Sequence, residues 1–226
     1  MAKNKLMIAR HLISESIIPL KTSDTGNIAL RWMDEYKVSH LPIVNGDNYL
    51  GLISEKDILD QNNYDDPIGN HNLGLSKSYV TEHQHIYEVI ELFEKSSLSL
   101  IPVVDNHQKY VGVITLQKLL SYFSSSFSVN NPGGVIVLEM SQKDYSLTEI
   151  ANIVESNNAK VLSCFLGNHS NSTLIEVILK ISTNEIEPIL QTFTRYNYIV
   201  KATFGENNDN EDLKEHYDSL MNYLNI

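Results

Sequence analysis

The chain has 226 residues, 42% hydrophobic and 20% charged, a composition that excludes a disordered chain and allows one or two domains. Seventeen Lys and Arg against 28 Asp and Glu give a net charge of -11, which argues against a surface that wraps nucleic acid or coats an anionic membrane. A single cysteine, Cys164, leaves no partner for an intrachain disulfide and no multi-cysteine zinc site. No apolar run approaches the ~18 residues of a membrane span, and the stretch Leu6–Ala9 is too short for a signal peptide. The expected setting is the cytoplasm, without membrane or nucleic acid polymer as partner.

In chain order, apolar spacing predicts a helix over about 25–37, opened by Asp24 and Thr25. A short strand at 41–44, a polar turn at 45–48 and a strand at 49–53 follow, then a helix starting at Ser54. Asp65 and Asp66, before Pro67 and Gly69, read as a solvated linker. A helix over about 85–97, strands at 101–104 and 110–114 and a helix starting at Thr115 repeat the order. Pro132-Gly133-Gly134 marks a boundary, with a linker expected at 126–133. Residues 134–205 then read as strand 135–140, helix 147–157, strand 160–166, strand 173–182, helix 185–196 and strand 199–204. That βαββαβ order is ferredoxin-like. The tail, 206–226, is an acidic linker and a short amphipathic helix with Leu213, Tyr217, Leu220, Met221 and Leu224 on one side, suited to docking on its own domain or a partner subunit.

The first half is an internal repeat. Ile28–Met33 matches Glu88–Phe93, and Leu41-Pro42-Ile43-Val44 matches Ile101-Pro102-Val103-Val104, both at an offset of 60. Tyr49-Leu50-Gly51-Leu52-Ile53-Ser54 matches Tyr110-Val111-Gly112-Val113-Ile114-Thr115 at an offset of 61. One such unit cannot bury its sheet alone, whereas two packed together with approximate two-fold symmetry can. The doubled pattern resembles a tandem CBS domain pair over residues 1–125, with repeat one at about 5–62 and repeat two at about 74–125. Residues 134–205 resemble an ACT-type domain in element order, and the whole is similar in architecture to acetoin-utilisation-type CBS proteins. The expected fold class is therefore α+β. The resemblance implies a regulatory, non-catalytic homodimer with no obligatory cofactor, whose cleft takes an adenosine-containing small molecule such as AMP, ADP, ATP or S-adenosylmethionine. An unknown protein target and a ligand-free interaction scaffold are the alternatives it leaves open. ACT domains often bind amino acids at a turn that carries glycine; Ser141–Ser146 has none, which favours dimerisation there.

Ser54 falls at a helix N-cap and Asp57 three residues on. The resemblance gives Asp57 the ribose hydroxyls and Ser54 a ribose or phosphate oxygen, and it implicates Pro19 beside them. Adenine would lie against the strand before Pro42, read by the backbone of His40 and Leu41. The same Ser-x-x-Asp spacing is also that of a capping box that needs no ligand. In the second copy Thr115 keeps the hydroxyl, but Lys118 replaces the acid and cannot accept from ribose. Two-fold packing would bring Thr115 and Lys118 to the phosphates of a nucleotide whose ribose Asp57 holds. With only Arg10 and Arg31 in residues 1–125, a mononucleotide or sulfonium ligand fits better than ATP. His83-x-His85 reads as an exposed helix start and Cys164 as a core residue; no nucleotide-loop, hydrolase or metalloprotease motif is present.

Overall fold

Each repeat begins with a helix whose apolar face is laid down by three- and four-residue spacing. On α1 (Gly26–Tyr36) Ala29 and Met33 are buried, with Trp32 packed at their side. On α3 (Ile86–Ser96) the buried set is Ile86, Val89 and Phe93. Thr25 caps the first helix, its hydroxyl accepting the Ile28 N–H, and His85 caps the second through Nδ1. Both helices end on a residue with positive φ, Lys37 and Ser97, at the repeat offset of 60. The computed structural model that shows this describes residues 7–14, 16–60, 63–71, 75–168 and 173–205. The expected tail helix lies outside them.

The hairpins are β1 (His40–Asn45) with β2 (Asn48–Ser54), and β4 (Leu100–Val104) with β5 (Tyr110–Thr115). Both register shifts fall at the same place, so that Leu50 and Val111 are extra residues on the second strand. The short helices α2 (Glu55–Leu59) and α4 (Leu116–Ser126) follow. Repeat two has a third strand that the sequence reading lacked, β3 (Val80–Thr81), parallel to β4; its counterpart in repeat one is the single bridge Leu20–Ile43. Leu41, Ile43, Ile53, Leu100, Ile101 and Ile114 are almost fully buried in one core shared by both repeats. Each such side chain contributes about 1.5–3 kcal/mol of burial.

Two contacts mark the pseudo-two-fold axis, because each joins residues that the repeat makes equivalent. At one end the Ser39 N–H donates to Ser99 Oγ at 3.0 Å; at the other, Asn48 bridges Lys109. The segments ahead of each repeat are exchanged. Ser14 N–H donates to the Val113 carbonyl at 2.7 Å, and Leu52 N–H donates to the Ser76 carbonyl at 2.8 Å. Repeat one therefore lays its leading segment on the β5 edge of repeat two, and repeat two returns the favour on β2.

The chain divides into two compact units between Phe123 and Ser124, within α4. In the second, β6 (Val135–Ser141), α5 (Leu147–Ser156), β7 (Val161–Asn168), β8 (Leu174–Ile181), α6 (Glu187–Arg195) and β9 (Ile199–Phe204) follow in order. The sheet order is β7-β8-β6-β9, all neighbours antiparallel, the ferredoxin-like arrangement expected from the sequence. Alternation along β6 and β8 buries Ile136, Leu138, Val177 and Leu179 under Ile150, Ile153, Ile189 and Phe193 of the helices. Cys164 departs from its expected place. It is half-buried at the core margin, where its thiol bonds Tyr145, because β7 is an edge strand.

Candidate functional site

The two strand-to-helix junctions carry the predicted site residues, and repeat one holds most of them. Ser54 ends β2 and caps α2; Asp57 N–H donates to Ser54 Oγ at 3.1 Å. The Asp57 carboxylate returns to its own cap: Oδ2 accepts from Ser54 N–H at 2.9 Å and from the Ser54 hydroxyl at 2.6 Å. The capping box is thus fully formed, and Asp57 Oδ1 is the oxygen without a hydrogen-bond partner among the described residues. Ser54 is half-buried and Asp57 exposed.

His40 lies opposite Ser54 in the β1–β2 register. Its Nδ1 accepts the Ser99 N–H at 3.4 Å and sits 3.1 Å from the hydroxyls of Ser39 and Ser99, so this ring ties repeat one to repeat two. Burial lowers the His40 pKa below its usual value of 6.5, and the nearby Asp57 charge partly offsets that. A folded pKa below the unfolded one means a stabilising contribution complete above pH 6.5 and lost as pH falls through the folded value. Asp57→Asn is expected to lower the His40 pKa further, read from its ring-proton shift against pH. An unchanged value would show that the carboxylate does not reach the ring.

The open edge of β1 belongs to His40 and not to Leu41. Leu20 N–H donates to the Pro42 carbonyl, and Val44 N–H donates to the Leu20 carbonyl, each at 2.8 Å. Alternation puts the backbone groups of His40 on the same edge as those of Pro42 and Val44, while Leu41 faces β2. Leu41 is 0% exposed and Pro42 is buried, with its carbonyl taken. Of the two backbones expected to face a base, that of Leu41 is taken up by β2 and that of His40 lies on the other edge. Pro19 is half-buried next to Leu20, at the end of that edge.

Thr115 and Lys118 stand at the corresponding junction of repeat two. They line a cavity of about 340 Å³ with Ser14, Ser16, Tyr36 and Ser121, and none of Pro19, His40, Ser54 or Asp57 lines it. Each repeat lays its leading segment on the hairpin of the other, which brings Ser14 and Ser16 to the junction of Thr115 and Lys118. The sequence reading missed Ser14, Ser16, Tyr36 and Ser121. The polar runs Ser14–Ser16 and Ser76–Ser78, at an offset of 62, were the signal. In the second unit a cavity of about 440 Å³ is lined by Glu139, Asp144, Glu149, Tyr196 and Tyr198, beside the turn that follows β6. Among the described residues no group of three or more His, Cys, Asp or Glu could hold a metal ion, and no helix is long and apolar enough to cross a membrane.

The first unit is thus a pseudo-two-fold pair of α/β repeats, with a polar cavity at the strand-to-helix junction of repeat two. The sequence model of the CBS domain family matches residues 9–62 and 76–125, and this part of the chain is a tandem CBS domain pair. The inosine-5'-monophosphate dehydrogenase of Methanocaldococcus jannaschii is 27% identical over 116 residues, which are 50% of this chain and 23% of that enzyme. A CBS domain-containing protein of Dictyostelium discoideum is 23% identical over 129 residues, taking in 50% of this chain and 89% of its own. A CBS domain pair/ACT domain protein from Thermotoga maritima is 21% identical with a TM-score of 0.47, covering 53% of this chain and 98% of that one. The chain thus spans about a quarter of the length of the first of these curated relatives.

Proposed function

We propose that this protein is a non-catalytic regulatory sensor that binds an adenosine-containing small molecule in the cleft of repeat one. The observation that carries this reading is the placement of Asp57 Oδ1, without a partner, beside the open β1 edge at His40. A carboxylate oxygen suits a ribose hydroxyl, and an unpaired strand edge suits the donor and acceptor edge of adenine. AMP or S-adenosylmethionine fits better than ATP, because arginines are scarce in this half. The second, ACT-like unit is the proposed dimerisation element. Switching needs a ligand that prefers one of two states.

The test is a thermal-shift panel of adenosine, AMP, ATP and S-adenosylmethionine on wild type and Asp57→Ala. A ligand at a hundred times its Kd stabilises by about 2.7 kcal/mol. One adenosine compound is expected to raise the Tm of the wild type and not of the variant. The shift is compared within each protein, since losing the cap alone costs about 1 kcal/mol. The completed capping box favours a second reading, a ligand-free dimerisation scaffold. No shift with any compound on the folded protein would establish that reading.

A further inference from the structure

The sheet of the second unit carries an apolar row from edge to edge on the side away from its helices. Helices α5 and α6 pack over Ile136, Leu138, Val177 and Leu179. The cross-strand register fixes what lies on the other side. Phe165 pairs with Ile178, Ile178 with Val137, and Val137 with Ala202, so one apolar row crosses β7, β8, β6 and β9. The row on one side of it ends at Phe204 on β9 and contains Lys180, whose ammonium donates to the Gly133 carbonyl. The row on the other side ends at Ile199 on β9; there Glu139 and Glu176 stand opposite each other, and Lys201 bonds both. Two lysines and two glutamates leave this face without net charge among the described residues. Phe127 touches Phe165 at one corner, yet Phe165 stays 41% exposed, Phe204 59% and Ile199 62%. Large apolar side chains left this open around a row that spans four strands mark a docking surface.

The sequence carries a segment suited to it. Residues 206–226 lie outside the described residues, and their spacing puts Leu213, Tyr217, Leu220, Met221 and Leu224 on one helical stripe. An isolated helix of that length is marginal in water, so the stripe needs an apolar surface. Length and attachment select this one. The polar stretch 206–212 starts just after β9 and spans up to about 25 Å when extended. Four strands are about 14 Å across, and a helix over 213–224 is about 18 Å long, so the helix matches the width of the row. We propose that residues 213–224 form a helix that lies across the open face of their own sheet, along the row from Phe165 to Ala202, with Ile199 and Phe204 beside it. The short tether makes this contact intramolecular, at a local concentration in the millimolar range, which favours the chain's own tail over a second copy. The six acids and one lysine of 206–226 meet no net negative charge there. The helix side of the unit stays available for the dimerisation proposed above, and the adenosine reading does not enter.

Photocrosslinking of the full chain with benzoylphenylalanine in place of Tyr217 is expected to give a product of monomer mass, joined to β6, β8 or β9. A product of dimer mass assigns the face to a second copy and overturns the proposal, as does a product joined to the first unit or to the helix side, or none at all. Hydrogen exchange gives a second readout. The wild-type amides of 213–224 are expected to exchange about tenfold or more slowly than unstructured chain, and Ile199→Asp with Phe204→Asp to lose that protection. Leu220→Asp leaves the sheet itself untouched; it is expected to release the tail and to raise the hydroxyl-radical oxidation of Phe204 as its ring is uncovered. Tail amides that exchange at the unstructured rate in the wild type, or that stay protected in the double variant, overturn the proposal. So does a Phe204 oxidised equally in the wild type and in Leu220→Asp.

Discussion

Replacing Gly51 with alanine is expected to lower the melting temperature by about 10 °C, a loss of about 3 kcal/mol from strain and displaced backbone together. Gly51 has φ +153, and a Cβ there would stand 2.7 Å from the Leu75 Cβ and 3.1 Å from the Ser76 carbonyl oxygen. That carbonyl accepts the Leu52 N–H, so the added methyl pushes away the leading segment that repeat two lays on β2. Two controls separate the causes. Gly46 has φ +59 with nothing within 4 Å of its Cβ, so Gly46→Ala reports conformational strain alone, about 1 kcal/mol. Gly112, the repeat equivalent, has no positive φ and would meet a side-chain methyl, Ile13 Cγ2, at 2.5 Å, so Gly112→Ala carries the clash without the conformational strain and costs less than Gly51→Ala. Thermal denaturation of the three variants checks the order. A Gly51→Ala protein no less stable than Gly46→Ala would mean that the exchanged segment is not held against β2.

Phe193→Ala is expected to destabilise the second unit by about 3–5 kcal/mol, the usual cost of truncating a buried phenylalanine. The ring is 0% exposed on α6 and meets Tyr198 edge-on at a centroid distance of 5.4 Å and an angle of 68°. The same variant should change the chemistry of the cavity that Tyr198 lines. Burial first, and then the hydrogen bond and charge of Glu149, push the Tyr198 phenol up to about 12. Its folded pKa lies above the unfolded value of about 10, so the stability tied to the neutral phenol is complete below pH 10 and lost as pH rises towards 12. Without the Phe193 ring, Tyr198 is expected to ionise nearer pH 10. Urea denaturation measures the first effect. Ultraviolet difference titration against Tyr198→Phe measures the second, and a phenol still ionising near pH 12 would show that the Phe193 ring does not shield it.

The sequence by itself determined the elements that short-range pattern controls. The paired runs Leu41–Val44 and Ile101–Val104, the matched Gly51 and Gly112, and the caps at Thr25, Ser54 and Thr115 act within a few residues, so spacing alone exposed the repeat and both hairpins. The βαββαβ order of the second unit was legible for the same reason, since every second residue of β6 and β8 is buried. Only the tertiary structure decided which segment faces each junction. Ser14 meets Val113 and Ser76 meets Leu52 across about a hundred and about two dozen residues respectively, pairings that no local spacing encodes. That exchange brought Ser14 and Ser16 to the junction of Thr115 and Lys118, and strand alternation against Leu20 put the backbone of His40, not that of Leu41, on the open edge. A residue type at a motif position fixes which hydrogen bonds it can make. The chain that arrives opposite fixes which of them are left for a ligand.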